Sequence, residues 1–138
     1  MSTNSGIAVR AGETFQTIYC HWDGHPKTMY PILSTYYNSE QAALALISFG
    51  DASSIGEKLE PTPGTAHCFN QPEKDVCVFY HRDRGEDWIS CSPTCYTEKE
   101  LFKQSAFEWV YIFEDGQWNI YSNGKKVNLN IFGLGGNS

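Results

Sequence analysis

Two arginines two residues apart, Arg82 and Arg84, stand in the segment His81-Arg82-Asp83-Arg84-Gly85-Glu86, directly after the apolar, β-rich run from Val76 to Tyr80. If that strand continues through them, both guanidinium groups fall on one face, with His81 and Asp83 on the other. A guanidinium binds phosphate or carboxylate through two parallel hydrogen bonds, so a paired arginine face is an anion clamp for a nucleotide or an acidic protein surface. The plainer reading of the same residues is a set of internal salt bridges to Asp23, Asp51, Glu57 or Glu86. The sequence leaves both open.

A second polar segment, Gly50-Asp51-Ala52-Ser53-Ser54-Ile55-Gly56, supplies a carboxylate, two hydroxyls and flexible glycines after a helical stretch. Such a loop can hold a ribose or a phosphate. It has no lysine and is not a nucleotide-binding P-loop; helix termination and turn formation account for the same residues. Trp22 and Tyr80 flank the polar segments, where they would stack on a base or fill the core. The candidate binding residues are therefore Trp22, Asp23, Asp51, Ser53, Ser54, Tyr80, Arg82 and Arg84.

Thiols and imidazoles raise the question of zinc. The cysteines are Cys20, Cys68, Cys77, Cys91 and Cys95, with His21, His25 and His67 nearby in sequence. Zinc prefers these ligand types, but no paired C-x-x-C knuckles occur, and Cys20 and His21 alternate faces on a strand. The same alternation argues against Cys20 and His21 as nucleophile and base. An odd number of cysteines without a secretory signal reads as free thiols rather than a disulfide framework. No metal, cofactor or catalytic residue is assigned.

The elements that would position these residues follow from periodicity and turn chemistry. Glu13 to Trp22 reads as the first strand, ending at the Asp23-Gly24 turn. Thr28 to Gly50 follows helical spacing broken near Asn38-Ser39-Glu40, so two helices are expected, Ser39 capping the second and Gly50 stopping it. Residues 51–75, with Pro61, Pro63, Gly64 and Pro72, read as a long irregular connection, and Val76 to Tyr80 as a central strand. A short helix begins after Thr97 and runs to Ser105. The end reads as a meander: Phe107 to Phe113, a turn at Asp115-Gly116, Gln117 to Tyr121, a turn at Asn123-Gly124, then Val127 to Phe132. Trp109, Tyr111 and Phe113 should share a face. The expected fold class is α+β, an antiparallel sheet with two N-terminal helices packed on one face and a C-terminal β-meander. Residues 1–12 and 133–138 are expected to be flexible ends.

Composition bounds what such a domain can do. With 138 residues, 41% hydrophobic and 19% charged, the chain is one ordinary domain with a packed interior. A formal net charge of −6 argues against general affinity for nucleic-acid backbones or anionic membranes. No apolar run approaches the about 18 residues of a membrane span, and the polar N-terminus lacks the order of a signal peptide. Aromatic residues make up 14%, more than a minimal core needs, which places some rings on a recognition surface.

Taken together, Tyr19-Cys20-His21-Trp22-Asp23-Gly24, Phe49 to Glu57 (FGDASSIGE) and Tyr80-His81-Arg82-Asp83-Arg84-Gly85-Glu86 resemble a family of small, mostly uncharacterised phage and prophage proteins. The three motifs lie within residues 18–88, about half the chain; His25-Pro26 stands where the family pattern has Tyr-Pro. The resemblance implies a phage accessory protein acting in the host bacterial cytoplasm, and such proteins often block a host defence. Three functions fit the residues: an inhibitor that occupies a host defence protein, a sponge that sequesters a nucleotide signal, and a small nucleotide-acting hydrolase or transferase using His81 or Asp83 for proton transfer. Binding is read ahead of catalysis, and a homo-oligomer is compatible with the composition.

Overall fold

The computed structural model describes residues 3–133. The chain runs through β1 (Ser5–Ala11), β2 (Thr14–Cys20), α1 (Pro26–Tyr36), α2 (Glu40–Ile47), β3 (Ala52–Ser54) and β4 (Val78–Phe79). It continues through α3 (Tyr80–Arg84), α4 (Trp88–Cys91), β5 (Thr94–Thr97), α5 (Glu98–Leu101), β6 (Trp109–Glu114), β7 (Gln117–Ser122) and β8 (Lys125–Lys126). The strands join one sheet in the order β4-β3-β2-β1-β6-β7-β8. The outer edge of β2 is shared: β5 pairs antiparallel along Thr14–Thr17, and β3 pairs parallel at Cys20.

The fold is α+β, as its residue patterns imply, but the sheet is mixed rather than antiparallel. β1 and β6 run parallel, Ser5 opposite Trp109 and Ile7 opposite Tyr111. Parallel neighbours need a long crossover, and here nearly the whole chain between them serves as one. The segment expected to be a flexible end is therefore a central strand. Its signal is weak because Gly6 and Ala8 face a crowded side. A Cβ on Gly6 would lie 2.7 Å from the Phe107 ring, so a larger residue there would displace that ring. Ile7 and Val9 point the other way and are buried.

Helices α1 and α2 cover one face. Met29, Leu33, Leu46 and Ile47 meet Ile7, Val9, Ile18, Tyr111, Trp118 and Ile120 there, each large aliphatic side chain contributing roughly 1.5–3 kcal/mol on burial. Trp118 Nε1 donates to the carbonyl of Tyr37 at 2.9 Å, fixing the end of α1 to β7. Ser39 caps α2, its Oγ accepting from the Ala42 N–H at 3.1 Å. The opposite face carries a smaller cluster of Ala8, Phe15, Leu101, Val110 and Ile112, closed by α5, whose Thr97–Glu100 capping box holds its first turn.

The β6–β7 hairpin turns at Asp115-Gly116 with φ of 53° and 78°, as the dipeptide dictates. Tyr111 and Phe113 belong to the helix-side core and Trp109 packs against it, so the three share a face. The third strand of the meander differs from expectation. β8 is two residues long, and Leu129–Phe132 form a 3-10 turn, because the Asn128 side chain accepts the Asn130 N–H at 2.9 Å and diverts the backbone. The expectation for the tail beyond Gly133 lies outside the described residues.

The run from Val76 to Tyr80 is extended only at Val78–Phe79, and HRDR is helical rather than strand. Asp83 Oδ2 reaches back from inside α3 to accept the N–H of Phe79, the residue before its first turn, at 2.8 Å, and Gly85 at φ 80° ends the helix. Among the described residues no helix is long and apolar enough to cross a membrane.

Candidate functional site

The three motif segments meet at one end of the sheet, bound through the backbone of β3. His21 N–H donates to Ala52 O at 3.1 Å and Trp22 N–H to Ser53 O at 2.9 Å. On the other side, Tyr80 N–H donates to Asp51 O at 3.2 Å, and Asp51 N–H donates to Cys91 O of α4 at 2.8 Å. Residues 19–22, 51–54 and 79–81 thus form adjacent strand ends, with α4 packed against the start of β3.

Alternation sorts their side chains. Cys20, Ala52 and Phe79 are fully buried in the helix-side core, so Tyr19, His21, Asp51 and Ser53 project from the other face. The Tyr19 hydroxyl lies 2.7 Å from His21 Nδ1, and its ring stacks on Phe107 with centroids 6.4 Å apart. Tyr80, next to the buried Phe79, joins this face. Asp51 Oδ1 accepts the Tyr19 N–H at 2.9 Å, one more rung on the β2–β3 pairing supplied by a side chain.

Burial pushes the Asp51 carboxyl up to about 6, with the Tyr19 N–H pulling the other way. Burial also raises the Tyr19 and Tyr80 phenols, and the negative field of Asp51 adds to both. Cys20 is pushed up to about 12 by complete burial, which removes the thiolate that nucleophilic or metal chemistry would need. The five thiols are unpaired, Cys68 and Cys95 exposed and the rest buried. Among the described residues no group of three or more His, Cys, Asp or Glu side chains is placed to hold a metal ion.

Large rings border the polar patch. Trp22, 43% exposed, stands beside Ser53 and meets His21 edge-on at 4.7 Å. Trp88, 39% exposed, stands over Gly50: a Cβ there would meet its ring at 3.0 Å. Next to it Ile89 is 85% exposed. Asp23, in the left-handed region at φ 57°, and Glu86 and Asp87 add exposed carboxylates.

The arginines do not form the expected pair. On a helix, positions i and i+2 point apart. Arg82 turns inward: Nε and Nη2 bond Asp83 at 2.9 and 3.1 Å, Nη1 bonds Leu59 O at 2.8 Å, and Nη2 also bonds Cys77 O at 2.9 Å. Its guanidinium lies over the Phe49 and Phe79 rings. Arg84 instead pairs with Glu86 at 3.2 Å and covers Phe69, beside a cleft of about 330 Å³ lined with Cys68 and Asn70. Burial alone would raise Asp83, but its bonds to Arg82 and the Phe79 N–H outweigh it and hold the carboxyl below its ordinary value. His67 Nδ1 accepts the Glu73 N–H at 2.9 Å while Nε2 sits 3.3 Å from Asp83, tying the 51–75 connection to α3.

Of the residues singled out from sequence, Trp22, Asp51, Ser53 and Tyr80 come together; Ser54 and Asp23 lie at the margin, and Arg82 and Arg84 serve other contacts. Sequence reasoning passed over Trp88 and Ile89, considered His21 only as a zinc ligand or base, and named Tyr19 only within a motif. The dipeptide Trp88-Ile89 amid charged residues was the available signal, since adjacent large apolar residues in a polar segment cannot both turn inward on a one-turn helix. Comparison with models of protein families, with curated proteins and with solved structures finds no match to this chain in any of the three.

Proposed function

We propose that this is a phage accessory protein that works by binding, its Trp22–Trp88 rim occupying a basic surface of a host defence protein in the host cytoplasm. The observation that carries the reading is the rim: two half-exposed tryptophans, Trp22 beside Ser53 and Trp88 over Gly50, with the exposed Ile89 next to Trp88 in sequence. Buried tryptophan anchors dominate binding energy at protein interfaces, and charge complementarity chooses the partner. With Asp23, Glu86 and Asp87 exposed at the rim and a net charge of −6, the complementary surface is basic, as it is on proteins that handle nucleic acid. The phage setting rests on the resemblance of the three motifs, which are the segments that build this patch.

The nucleotide sponge needs two guanidinium forks free for phosphate, and Arg82 has none to spare. The hydrolase or transferase needs His81 or Asp83 to move a proton. Asp83 has a side chain only 4% exposed, fully engaged with its neighbours, and His81 Nδ1 lies 2.8 Å from Glu86 O.

The test is phage plating on bacteria that carry one defined defence system, with and without this protein, followed by titration of the purified effector of that system. The protein should restore plating. Trp22→Ala with Trp88→Ala should abolish it and weaken effector binding at least about a hundredfold, with folding retained. Full protection by the folded double variant would defeat the reading.

A further inference from the structure

Asp51 holds an uncommon position for a carboxylate in this chain. Oδ1 takes the Tyr19 N–H, while Oδ2 has no hydrogen bond among the described residues and is not sealed from solvent. The cations near other carboxylates are already engaged: Arg10 with Glu114, Lys58 with Glu73, Arg82 with Asp83, Arg84 with Glu86. Among the described residues none pairs with Asp51. The groups in charge-interaction range of it are the Tyr19 phenol from β2, the Tyr80 phenol after β4 and the Cys91 thiol of α4, all neutral near pH 7; the His21 imidazole, on the same face, is held on the Tyr19 hydroxyl at 2.7 Å. The Asp51 carboxylate is half-withdrawn from water, lies within charge-interaction range of the Tyr19 and Tyr80 phenols, and has no positive partner among the described residues.

We infer that Asp51, between Tyr19 and Tyr80 and with Trp22 and Trp88 at either end of β3, is the seat for a single arginine or lysine side chain of the bound partner. The inference rests on the docking reading above and deepens it by naming the group recognised. A charge-assisted bond to Oδ2 and cation–π contact with the rings are the two attractions such a side chain would find together. An anion would meet the field of Asp51, Glu86 and Asp87, and a metal ion would find too few ligands. The raised carboxyl fits this placement: a cation that arrives with the partner lowers it again, so the missing charge is supplied on binding.

The experiment titrates N-acetyl-arginine amide and N-acetyl-lysine amide into the intact protein, with N-acetyl-norleucine amide as the uncharged control, following Tyr19, Tyr80 and tryptophan ring signals by NMR. Saturable shifts with a Kd on the order of 10 mM are expected for the cations, none for norleucine amide. The shifts should fade as the pH falls through about 6, where Asp51 takes up a proton. Asp51→Asn keeps the acceptor for Tyr19 and should weaken cation binding at least tenfold; should that variant fold poorly, the pH dependence of the parent carries the same test. No saturable shift, equal binding by Asp51→Asn, or equal binding of norleucine amide overturns the seat. Absent cation binding with loss of plating in the tryptophan variant removes the seat and leaves the docking reading standing. Cation binding with full plating in that variant removes the docking reading alone.

Discussion

Arg82 and Asp83, adjacent in sequence, hold each other through two parallel bonds, Nε to Oδ1 at 2.9 Å and Nη2 to Oδ2 at 3.1 Å. The bidentate geometry usually spans two elements; here it closes within one turn and frees Nη1 to reach Leu59 O across the long connection. The pair is a clip between the start of α3 and residues 57–59.

Replacing Arg82 with Lys keeps the charge and removes the fork. Lysine cannot reach Asp83, Leu59 O and Cys77 O together, so stability should fall by about 2–4 kcal/mol. The melting temperature should drop by roughly 10 °C, measured by thermal unfolding. Cation or partner binding per folded molecule should stay at the parent's level; a stable variant that has lost binding would place Arg82 in the interface instead.

Asp51 gives a pH dependence of unusual sign. Its folded value of about 6 lies above the ordinary 3.8, so the folded state takes up the proton first. The group's penalty is absent below about pH 4, grows as the pH rises to about 6, and is complete above that. After allowance for solvent screening it amounts to on the order of 1–2 kcal/mol. Asp51→Asn should therefore melt several °C higher than the parent at pH 8 and equally at pH 4. Glu73, held down to about 2 by Thr65 and Thr62, and the lowered Asp83 and Glu114 act in the opposite direction in both proteins, so the difference between the two curves is the measurement.

Gly50 sits at φ 83°, and a Cβ there would fall 2.3 Å from Cys91 O. Gly50→Ala should cost about 2–4 kcal/mol through left-handed strain and displacement of α4. Since Trp88 rides on that contact, its fluorescence should shift even in the folded fraction; an unmoved spectrum would mean that α4 is positioned by something else.

Thiol reactivity should divide the cysteines. Cys68 and Cys95 are exposed and should react with a chromogenic disulfide in the native state, whereas Cys20, Cys77 and Cys91, buried and raised by that burial, should wait for unfolding. Fast labelling of Cys20 would contradict its place under β3.

What could be read in the residues was local. Ser39 as a cap, Thr97 as a helix start and Asp115-Gly116 as a turn act over three or four positions, and each stands where its chemistry puts it, although the helix after Thr97 stops at Leu101 rather than Ser105. The misread elements were decided at a distance or by a competing bond. β1 is disguised because Gly6 and Ala8 answer to Phe107 and Leu101, about a hundred positions on. α3 read as strand because Val78 and Phe79 are strand, and the Phe79 N–H is taken by Asp83 from the helix that follows. At the site, the segments were legible but their directions were not. The helix that separates Arg82 from Arg84 and the α4 contact that brings Trp88 to Gly50 are both tertiary facts.

The parallel pairing of β1 with β6 bears on how the molecule is made. Arg10 and Glu114, joined across it, are 104 residues apart, and contacts of such span are slow to form because the intervening chain must be gathered first. During synthesis β1 leaves the ribosome about a hundred residues ahead of its parallel partner β6. Until β6 emerges, the β1–β2 hairpin keeps an open flank with Ile7 and Val9 uncovered on that side, a transient edge able to pair with other chains. Yield in cells should depend on how fast β6 follows β1 out of the ribosome.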